Sequence, residues 1–369
     1  MSTFQGEADY VHGSPARTGV LVSNLGTPDA ATPAALRRYL SEFLSDPRVV
    51  ELPRGLWLPL LHGVIAPLRG RHAARLYRRV WTPEGSPLLA IARRQAQALE
   101  TELAARLPGP VPVALGMRYG NPALPTALDM LRRAGVRRLL LLPLYPQYSA
   151  TTTASTFDAV AAVLGTWRWM PELRTIMSYH DEPGYITALA KSVRHHWAQH
   201  GEAERLMFSF HGLPRRNLTA GDPYHCQCHK TARLVAEALA LPPERWQVTF
   251  QSRFGRAEWL QPYTDHTLRA WARQGVKSVE VLCPGFSADC LETLDEIAEL
   301  NRRWFLEAGG ATFHYIPALN DQPSHVRMLA DLVTRHLQGW PDTDPGDDPE
   351  GQTAGRETAR RAQALGAPR

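Results

Sequence analysis

The sequence predicts an α/β protein made of two similar Rossmann-like halves, each with a four-stranded parallel sheet flanked by helices. Three observations support this fold class. Short runs rich in Val, Leu and Ile alternate with helical patterns, these runs lack a regular polar–apolar alternation, and the segment that begins at Arg133 recurs at Arg273. Strands covered by helices on both faces have this character, and strand–helix alternation is typical of parallel sheets.

Eight apolar segments are predicted to be strands. They are Thr18–Asn24, Val111–Gly116, Arg138–Leu142, Leu173–Met177, Arg205–Phe210, Trp246–Gln251, Ser278–Cys283 and Thr312–Ile316. Helix starts are indicated between them, because Thr32-Pro33 and Ser86-Pro87 each place a capping hydroxyl before a proline.

The internal repeat supports the division into two halves. Residues 133–142 align with residues 273–282, with Arg, Gly and Val at matching places. In both copies a helix is predicted to end at the glycine, Gly135 or Gly275, where a left-handed cap suits a residue without Cβ. Ligands of such sheets bind beyond the carboxyl ends of the strands, and here also between the halves.

Length and composition agree with a two-domain globular protein. The chain has 369 residues, 44% of them hydrophobic, and a formal net charge of +5. No basic block stands out, so a nucleic-acid partner is disfavoured. The N-terminus lacks the apolar region of a signal peptide, and no apolar run is long enough to span a bilayer. We therefore expect a cytoplasmic protein with reduced thiols.

Two segments have unusual composition. Leu56–Leu68 is strongly apolar but interrupted by prolines and a glycine. It is either a buried segment or a lip that contacts a membrane or an apolar ligand, and composition alone favours burial. The segment after Leu337 is rich in Pro, Gly and Asp and has no apolar face, so residues 338–369 are predicted to be a disordered tail.

One candidate for chemistry is His211, which follows the predicted strand Arg205–Phe210 and precedes Gly212. α/β folds place their sites at such strand ends, and a neutral imidazole accepts a proton or binds a metal near neutral pH. The alternative is an ordinary loop histidine that only forms a hydrogen bond.

An acidic segment follows the predicted strand Ser278–Cys283. Its spacing predicts four carboxylates on one face of a helix, those of Asp289, Glu292, Glu296 and Glu299. A solvated helix face is the ordinary interpretation. Because the helix starts beside the predicted cleft, its first turn would also attract a dication and accept protons.

Other candidates follow two further strands. Arg118, in Gly116–Pro122, suits bidentate contact with a carboxylate, or the loop only caps a helix. Tyr145, Tyr148 and the Ser/Thr run Ser149–Thr153 either supply apolar walls and hydroxyls to the cleft or simply pack and cap. The pair Cys226 and Cys228, with His225 and His229, resembles metal-ligand material, but it lacks a partner pair nearby. No nucleotide-binding loop or nucleophile elbow is present, so nucleotide-dependent chemistry is disfavoured.

Taken together, these strings resemble the ferrochelatase family. They are VSNLGTP, GMRYGNP, LYPQYSATTTAS, FSFHGLPRR, GDPYHCQCHKTA, FQSRFGRAEWLQPYT and CPGFSADCLETLDEIAE. They occur in family order over residues 18 to 337. The resemblance implies two chelatase-type domains that enclose a porphyrin cleft, and insertion of Fe(II) into protoporphyrin IX as the last step of haem synthesis.

The resemblance also assigns roles by position. His211 and Glu292 match the catalytic histidine and glutamate and are expected to contact the metal. Asp289 and Glu296 match an acidic path that leads away from Glu292. Residues matching or assigned to the porphyrin pocket are Leu25, Arg118, Tyr119, Tyr145 and Trp259. Leu25 stands where enzymes that metallate coproporphyrin typically have Tyr, which favours protoporphyrin.

Three further expectations follow from the resemblance. Ala150 stands where some members have a cluster cysteine and the tail has no cysteine, so no [2Fe–2S] cluster and no cofactor beyond substrate Fe(II) is expected. The halves are expected at 1–170 and 171–337, with an active-site lip at 47–80 that makes peripheral membrane contact. A cobalt chelatase of the same fold and a non-catalytic tetrapyrrole carrier are the competing interpretations.

Overall fold

The computed structural model describes residues 4–7, 10–255, 257–340 and 349–367. Their strands form two four-stranded sheets in which all pairings are parallel. The first has the order β2-β1-β3-β4, from β1 (Arg17–Thr27), β2 (Val113–Gly120), β3 (Val136–Pro143) and β4 (Glu172–Thr175). The second has the order β6-β5-β7-β8, from β5 (Arg205–His211), β6 (Trp246–Gln251), β7 (Ser278–Leu282) and β8 (Thr312–Ile316).

The predicted fold class is confirmed, and each of the eight predicted strands is present, although several ends differ from the prediction. The two sheets have the same strand order, which is the structural counterpart of the repeat. Gly135 and Gly275 have φ values of 81° and 98°, so both occupy the left-handed region immediately before matching segments of the two halves.

Helices connect the strands and cover the sheets. They are α1 (Pro33–Leu44), α2 (Arg54–Leu60), α3 (Ala66–Val80), α4 (Pro87–Arg106), α5 (Leu124–Arg133), α6 (Ser155–Leu164), α7 (Pro183–His200), α8 (Arg215–Thr219), α9 (Tyr224–Ala238), α10 (Thr264–Arg273), α11 (Arg302–Glu307), α12 (Pro323–Leu337) and α13 (Pro349–Ala364). Three π-helical segments, Leu61–Ile65, Ala150–Ala154 and Glu292–Asn301, and a 3₁₀ turn at Pro243–Arg245 complete the described elements.

Only one of the two predicted helix caps uses its hydroxyl as expected. The Thr32 hydroxyl accepts a hydrogen bond from the Ala35 amide at the start of α1. Ser86 does precede α4, but its hydroxyl forms no cap hydrogen bond. It accepts instead from the Thr27 hydroxyl at 2.8 Å, which ties the start of α4 to the end of β1.

The largest hydrophobic core joins the two halves. It contains residues of the first sheet, such as Val20 and Leu140, together with residues of the second, such as Phe208 and Val248. Polar contacts between the halves also occur: the buried Gln95 on α4 donates to the Ser287 carbonyl at 2.9 Å. The two halves therefore share one hydrophobic core and are also joined by a buried polar contact.

The C-terminal segment differs from the predicted disordered tail. Residues 341–348 and 368–369 of it lie outside the described residues, but Pro349–Ala364 forms the helix α13. The backbone of Gly355 on this helix lies so close to Gly13 that a Cβ on Gly13 would fall 2.0 Å from the Gly355 carbonyl oxygen. Helix α13 contacts the N-terminal segment at Gly13, and this contact could not be predicted from the composition of residues 338–369.

Candidate active site

The candidate site begins at the carboxyl edge of the second sheet. His211 is the last residue of β5, and its register partner Gln251 is the last residue of β6. His211 is half-buried, and its Nδ1 lies 2.7 Å from the Gly212 carbonyl oxygen. Since a carbonyl only accepts, Nδ1 carries the proton in the neutral ring, and Nε2 keeps its lone pair for a proton or a metal.

Gln251 connects this histidine to the acidic segment. Its side-chain Nε2 donates to the Glu292 carbonyl at 3.1 Å, and its Oε1 accepts from the Ser209 hydroxyl at 2.7 Å. The Gly212 amide donates to the Gln251 carbonyl at 2.8 Å. The Gln251 side chain thus joins β5 and β6 to the first residue of the acidic helix. His211 and Glu292 therefore lie at the same edge of the second sheet.

The acidic segment is a π-helix rather than the predicted α-helix. Glu292–Asn301 has i→i+5 turns, so spacings of three and four no longer place carboxylates on one face. Glu292 and Glu296 are half-buried, whereas Glu299 is exposed. The prediction of a single four-carboxylate face is therefore wrong.

Asp289 lies before this π-helix, in the loop after β7. Its carboxylate accepts hydrogen bonds from the Thr293 hydroxyl at 3.0 Å, the Tyr315 hydroxyl at 2.5 Å and the Asn320 amide at 2.7 Å. Because both oxygens are engaged and the side chain is buried, Asp289 is placed to fix the start of the π-helix against the end of β8.

Glu296 is a carboxyl of this helix whose proton affinity is strongly changed by its surroundings. Its two oxygens accept from the Ser252 amide, at 2.8 Å, and from the Ser252 hydroxyl. Burial raises the pKa of Glu296 to about 7, and the charges of Glu292 and Asp265 add to that effect. Glu296 therefore changes its protonation state near neutral pH.

Glu292 faces a group of tyrosines on the first half. Tyr39 on α1 and Tyr77 on α3 are buried in one cluster, against which Leu25 and Leu291 also pack. Burial raises the pKa values of Tyr39 and Tyr77 well above their usual range, and the negative charge of Glu292 contributes to both shifts. The tyrosine hydroxyls consequently stay neutral beside the Glu292 carboxylate.

Arg118 is held by a buried carboxylate that the sequence did not reveal. Its Nε donates to the Ser155 hydroxyl at 2.7 Å, and its Nη2 pairs with Asp46. Tyr119 is fully buried, lies 4.4 Å below the Arg118 guanidinium, and donates to Asp46 at 2.8 Å. Burial of Asp46 opposes ionisation, but hydrogen bonds from Ser155 and Tyr119 and the Arg118 charge lower its pKa overall.

The remaining predicted pocket residues come from both halves. Tyr145 follows β3 and is half-buried, with no hydrogen-bond partner for its buried hydroxyl. Trp259 is buried, its ring centroid lies 5.0 Å from that of Phe254, and its indole N–H also has no partner. A Cβ on Gly212 would lie 3.1 Å from the Trp259 ring, so this tryptophan packs directly beside the His211 loop.

One side of the segment Leu56–Leu68 is exposed, whereas Leu61 and Ala66 on its other side are buried. Leu56, Leu60, Val64 and Leu68 recur every fourth residue across α2, the following π-turn and α3, and they are 77, 48, 48 and 63% exposed. The exposed side is what a lip presents, and its contact with a membrane or an apolar ligand stays a prediction. Arg69 on the lip lies 5.0 Å above the exposed ring of Phe254, so the lip contacts the second half.

The cysteine–histidine segment does not form a ligand set. Cys226 is exposed and Cys228 is buried, and all four cysteines of the chain are free. The imidazoles of His225 and His229 lie 4.5 Å apart and pack near Phe250. In the described part of the chain, no three His, Cys, Asp or Glu side chains are positioned to hold a metal ion. No described helix has the length and apolar character to cross a membrane.

Several important residues were missed by the sequence analysis. Gln251 ends a strand, so the same rule that singled out His211 would have found it. Asp46 and Ser155 lie in a loop and at a helix start, and only their long-range contact with Arg118 reveals them.

Comparison with known proteins gives a consistent result. The family model described as Ferrochelatase matches residues 17–337. A ferrochelatase of Thioalkalivibrio sulfidiphilus is 60% identical over 363 residues, covering 98% of each chain. One from Nitrosococcus oceani is 58% identical over 366 residues, covering 99% of each chain, and one from Marinobacter nauticus is 55% identical over 337 residues, covering 91% of each.

Among solved structures, SirB from Bacillus subtilis with Fe³⁺ has a similar fold. The TM-score is 0.52 at 12% sequence identity, and the match covers 87% of this chain and 96% of SirB. At that identity the likeness concerns the two-sheet architecture only.

Proposed function

We propose a mechanism from the premise that this chain belongs to the ferrochelatase family and inserts Fe(II) into protoporphyrin, the final step of haem synthesis. In this mechanism, His211 and Glu292 act on the reaction from opposite faces of the porphyrin. The observation that carries this proposal is the Gln251 side chain, which joins the strand of His211 to the backbone of Glu292. It supports a site in which both groups have fixed positions at one edge.

His211 is proposed to take a pyrrole proton. Metallation replaces two N–H protons of the free-base ring by one Fe(II), so the site must accept protons as the metal enters. The bond from Nδ1 to the Gly212 carbonyl leaves Nε2 as the acceptor, which is the arrangement a general base needs. Transient contact of the same nitrogen with the metal fits the preference of Fe(II) for imidazole.

Glu292 and Glu296 are proposed to work on the other face. A carboxylate at Glu292 attracts the hydrated dication, and the neighbouring tyrosines remain neutral beside it. With a pKa of about 7, Glu296 exchanges protons without a large energetic penalty in either direction. The acidic path therefore reduces to Glu292 and Glu296, while Asp289 is proposed to position the π-helix that carries them.

The porphyrin is proposed to bind between these two sides. Leu25, Tyr145 and Trp259 are proposed to form its apolar walls, and binding energy from such walls favours the bent ring that metallation requires. Arg118 is proposed to hold a propionate through Nη1, because its Nε and Nη2 are engaged by Ser155 and Asp46. Tyr119 is buried beneath the guanidinium, so it is proposed to support Arg118 rather than touch the ring.

The test is anaerobic Fe(II) insertion by His211→Ala, with porphyrin binding measured separately by fluorescence quenching. Loss of turnover by at least about a hundredfold with porphyrin still bound is expected for a missing base. Near-parental turnover would remove His211 from the mechanism. Tight binding by the parent chain with no turnover would favour the tetrapyrrole-carrier interpretation.

We further propose that the reaction needs no iron–sulfur cluster. Ala150 stands at one cluster position of the cluster-containing members, and the four cysteines all precede residue 291. Burial raises the pKa values of Cys228, Cys283 and Cys290, which opposes the thiolate form that iron requires. Anaerobically purified chain should show no cluster absorption band, and a stoichiometric [2Fe–2S] spectrum would contradict the proposal.

The exposed lip is proposed to make peripheral contact with an anionic membrane surface. Its four-residue apolar repeat is accompanied by exposed arginines on α3, among them Arg71 and Arg75, a combination suited to the boundary of headgroups and acyl chains. Flotation with vesicles of phosphatidylcholine and phosphatidylglycerol tests this. Binding should fall in the double variant Leu56→Ser, Leu68→Ser. It should persist in the control Met130→Ser, which replaces an exposed apolar side chain on α5. Equal binding by all three chains would contradict it.

A further inference from the structure

A buried side-chain amide of the first half contacts two loops of the second half. Gln95 on α4 is 1% exposed. Its Nε2 donates to the Ser287 carbonyl, in the loop after β7, and to the Asn320 carbonyl, in the loop after β8, at 2.9 Å each. The backbone N–H of Asn320 also donates to the Ser287 carbonyl, at 3.1 Å. Gln95 thus holds the loops that follow two neighbouring strands of the second sheet.

Asn320 continues this connection to Asp289. Its Nδ2 donates to Asp289 Oδ2 at 2.7 Å, and its Oδ1 accepts from the backbone N–H of Asp289 at 2.8 Å. The φ of Asn320 is 49°, in the left-handed region where asparagine and aspartate are enriched. An aspartate would suit this backbone conformation equally well, but it lacks the N–H donor that Asp289 Oδ2 accepts from. The pair of bonds therefore requires the amide of asparagine.

Asp289 in turn holds the start of the π-helix. Its Oδ1 accepts from the Thr293 hydroxyl at 3.0 Å, and the Thr293 hydroxyl accepts from the backbone N–H of Cys290 at 3.0 Å. Glu292 lies between Cys290 and Thr293 in the sequence. The backbone that carries Glu292 is therefore fixed on both sides by contacts that lead back to Asp289.

We propose that Gln95 and Asn320 are positioning residues for Glu292, which keep the start of the π-helix at a fixed place relative to the first half. This role depends on the proposed action of Glu292 on the metal, and neither residue is assigned a contact with substrate. Without the Asn320 amide, Asp289 Oδ2 and the Asp289 N–H lose their partners, and the π-helix loses this connection to α4. A displacement of a reacting group by about 1 Å costs on the order of a hundredfold in rate.

The first test compares Asn320→Gly with the parent in anaerobic Fe(II) insertion into protoporphyrin. Glycine adopts a φ of 49° without strain, so this variant removes the side-chain bonds and keeps the backbone conformation. We expect kcat to fall about tenfold and the KM for Fe(II) to rise several-fold, with porphyrin affinity unchanged. A smaller folded fraction alone would lower the apparent kcat and leave the KM for Fe(II) unchanged.

Ala240→Gly is the matched control. Ala240 has a φ of 57° in an exposed turn after α9, so the control also introduces a glycine at a left-handed position. It should have the kcat and KM values of the parent. Parental kcat and KM for Fe(II) in Asn320→Gly would overturn the proposal.

Gln95→Met tests the same connection from the first half. Methionine keeps the length of the side chain and removes its donor, so the KM for Fe(II) should again rise with porphyrin affinity unchanged. If Asn320→Gly does not fold, Gln95→Met decides the outcome. A parental KM for Fe(II) in Gln95→Met would then overturn the proposal.

A double-mutant cycle shows whether Asn320 acts through Glu292. Asn320→Gly should lower kcat about tenfold in the parent but less than about twofold in the Glu292→Gln chain. The full decrease in both chains would overturn the positioning role and leave the proposed role of Glu292 intact. Parental turnover in Glu292→Gln alone would contradict the proposed role of Glu292 and, with it, the positioning role.

Discussion

The Glu296 carboxyl shows how its surroundings set the proton affinity of one side chain. Burial disfavours its charge, whereas two hydrogen bonds from Ser252 favour it, and the balance leaves a pKa of about 7. Ser252 has a φ of 64°, an uncommon conformation for a non-glycine residue, and it presents both its amide and its hydroxyl to Glu296. Local backbone geometry and proton affinity are therefore linked at this position.

The first prediction concerns the pH dependence of turnover. If Glu296 accepts protons from the site, it must be ionised to do so, and activity should rise as pH increases through about 7. Glu296→Gln removes this limb of the kcat profile and should lower kcat at pH 8 by at least about tenfold. Rates measured from pH 6 to 8.5 test this, with Glu299→Gln, an exposed carboxyl on the same helix, as the control. A Gln variant with the parental profile would contradict it.

The same raised pKa predicts a change in stability with pH. The folded state holds the Glu296 proton more tightly than the unfolded chain, whose value is near 4.5. Its contribution is present below about pH 4.5 and is lost as pH rises through about 7, by up to about 3 kcal/mol. Urea unfolding should show Glu296→Gln gaining on the parent across this window. A constant difference between the two chains would exclude the shift.

Asp46 gives the third prediction. Its carboxylate accepts from Arg118, Tyr119 and Ser155, and its side chain is 3% exposed. Asp46→Asn should reduce the free energy of unfolding by about 3 kcal/mol, because Arg118 loses its partner in a mostly buried site. Asp158→Asn removes a pair whose side chains are 42% and 47% exposed and should cost less than about 1 kcal/mol. Similar losses in both variants would contradict the assigned role.

Chain position alone predicts that His211 lies at the end of a strand and that Glu292 lies on the helix after β7, and the structure confirms both placements. The roles of the two residues stay predictions. Asp46 was not identifiable from the sequence, because its role depends on Arg118, which lies 72 residues away in the sequence. Asp289 was assigned to the wrong element, because spacing does not distinguish a loop residue from the first turn of a helix.

At the scale of elements, the π-helix Glu292–Asn301 links the two halves. Its buried Asp295 pairs with Arg79 at the end of α3, at 2.5 Å, so the lip is tied to the helix that carries Glu292 and Glu296. π-Helical turns are less stable than α-helical ones and occur frequently at functional sites. The ion pair therefore couples the position of the lip to the acidic side of the cleft.

The fourth prediction tests this tie. Arg79→Met should raise the KM for porphyrin several-fold and lower the free energy of unfolding by about 3 kcal/mol, because the buried Asp295 carboxylate loses its partner. Arg75→Met, one turn earlier on the exposed side of α3, is the control. Steady-state kinetics and urea unfolding provide both values. An unchanged KM in Arg79→Met would show that the lip does not depend on the π-helix.

Element types were predicted unevenly. Strands were recognised because their apolar runs are short and bounded by turn residues. The lip was ambiguous, because an apolar run broken by prolines has the same composition whether it is buried or exposed. The π-helix was not predicted, because an i→i+5 turn leaves no distinct pattern of apolar residues.

For the whole molecule, the repeat at Arg133 and Arg273 predicted two sheets of equal size, and the structure confirms two sheets of identical strand order. The shared core was not predictable, since no local pattern shows that Val20 and Phe208 belong to one cluster. The boundary near residue 170 and the cytoplasmic location stay predictions.

His211 and Glu292 are proposed to act together at the end of the second sheet. The most direct test is the anaerobic rate of Fe(II) insertion into protoporphyrin IX by the parent, His211→Ala, Glu292→Gln and the control Glu299→Gln. We predict that His211→Ala and Glu292→Gln lose at least about a hundredfold in kcat while still binding porphyrin, and that Glu299→Gln remains near the parent. Parental turnover in either His211→Ala or Glu292→Gln would contradict it.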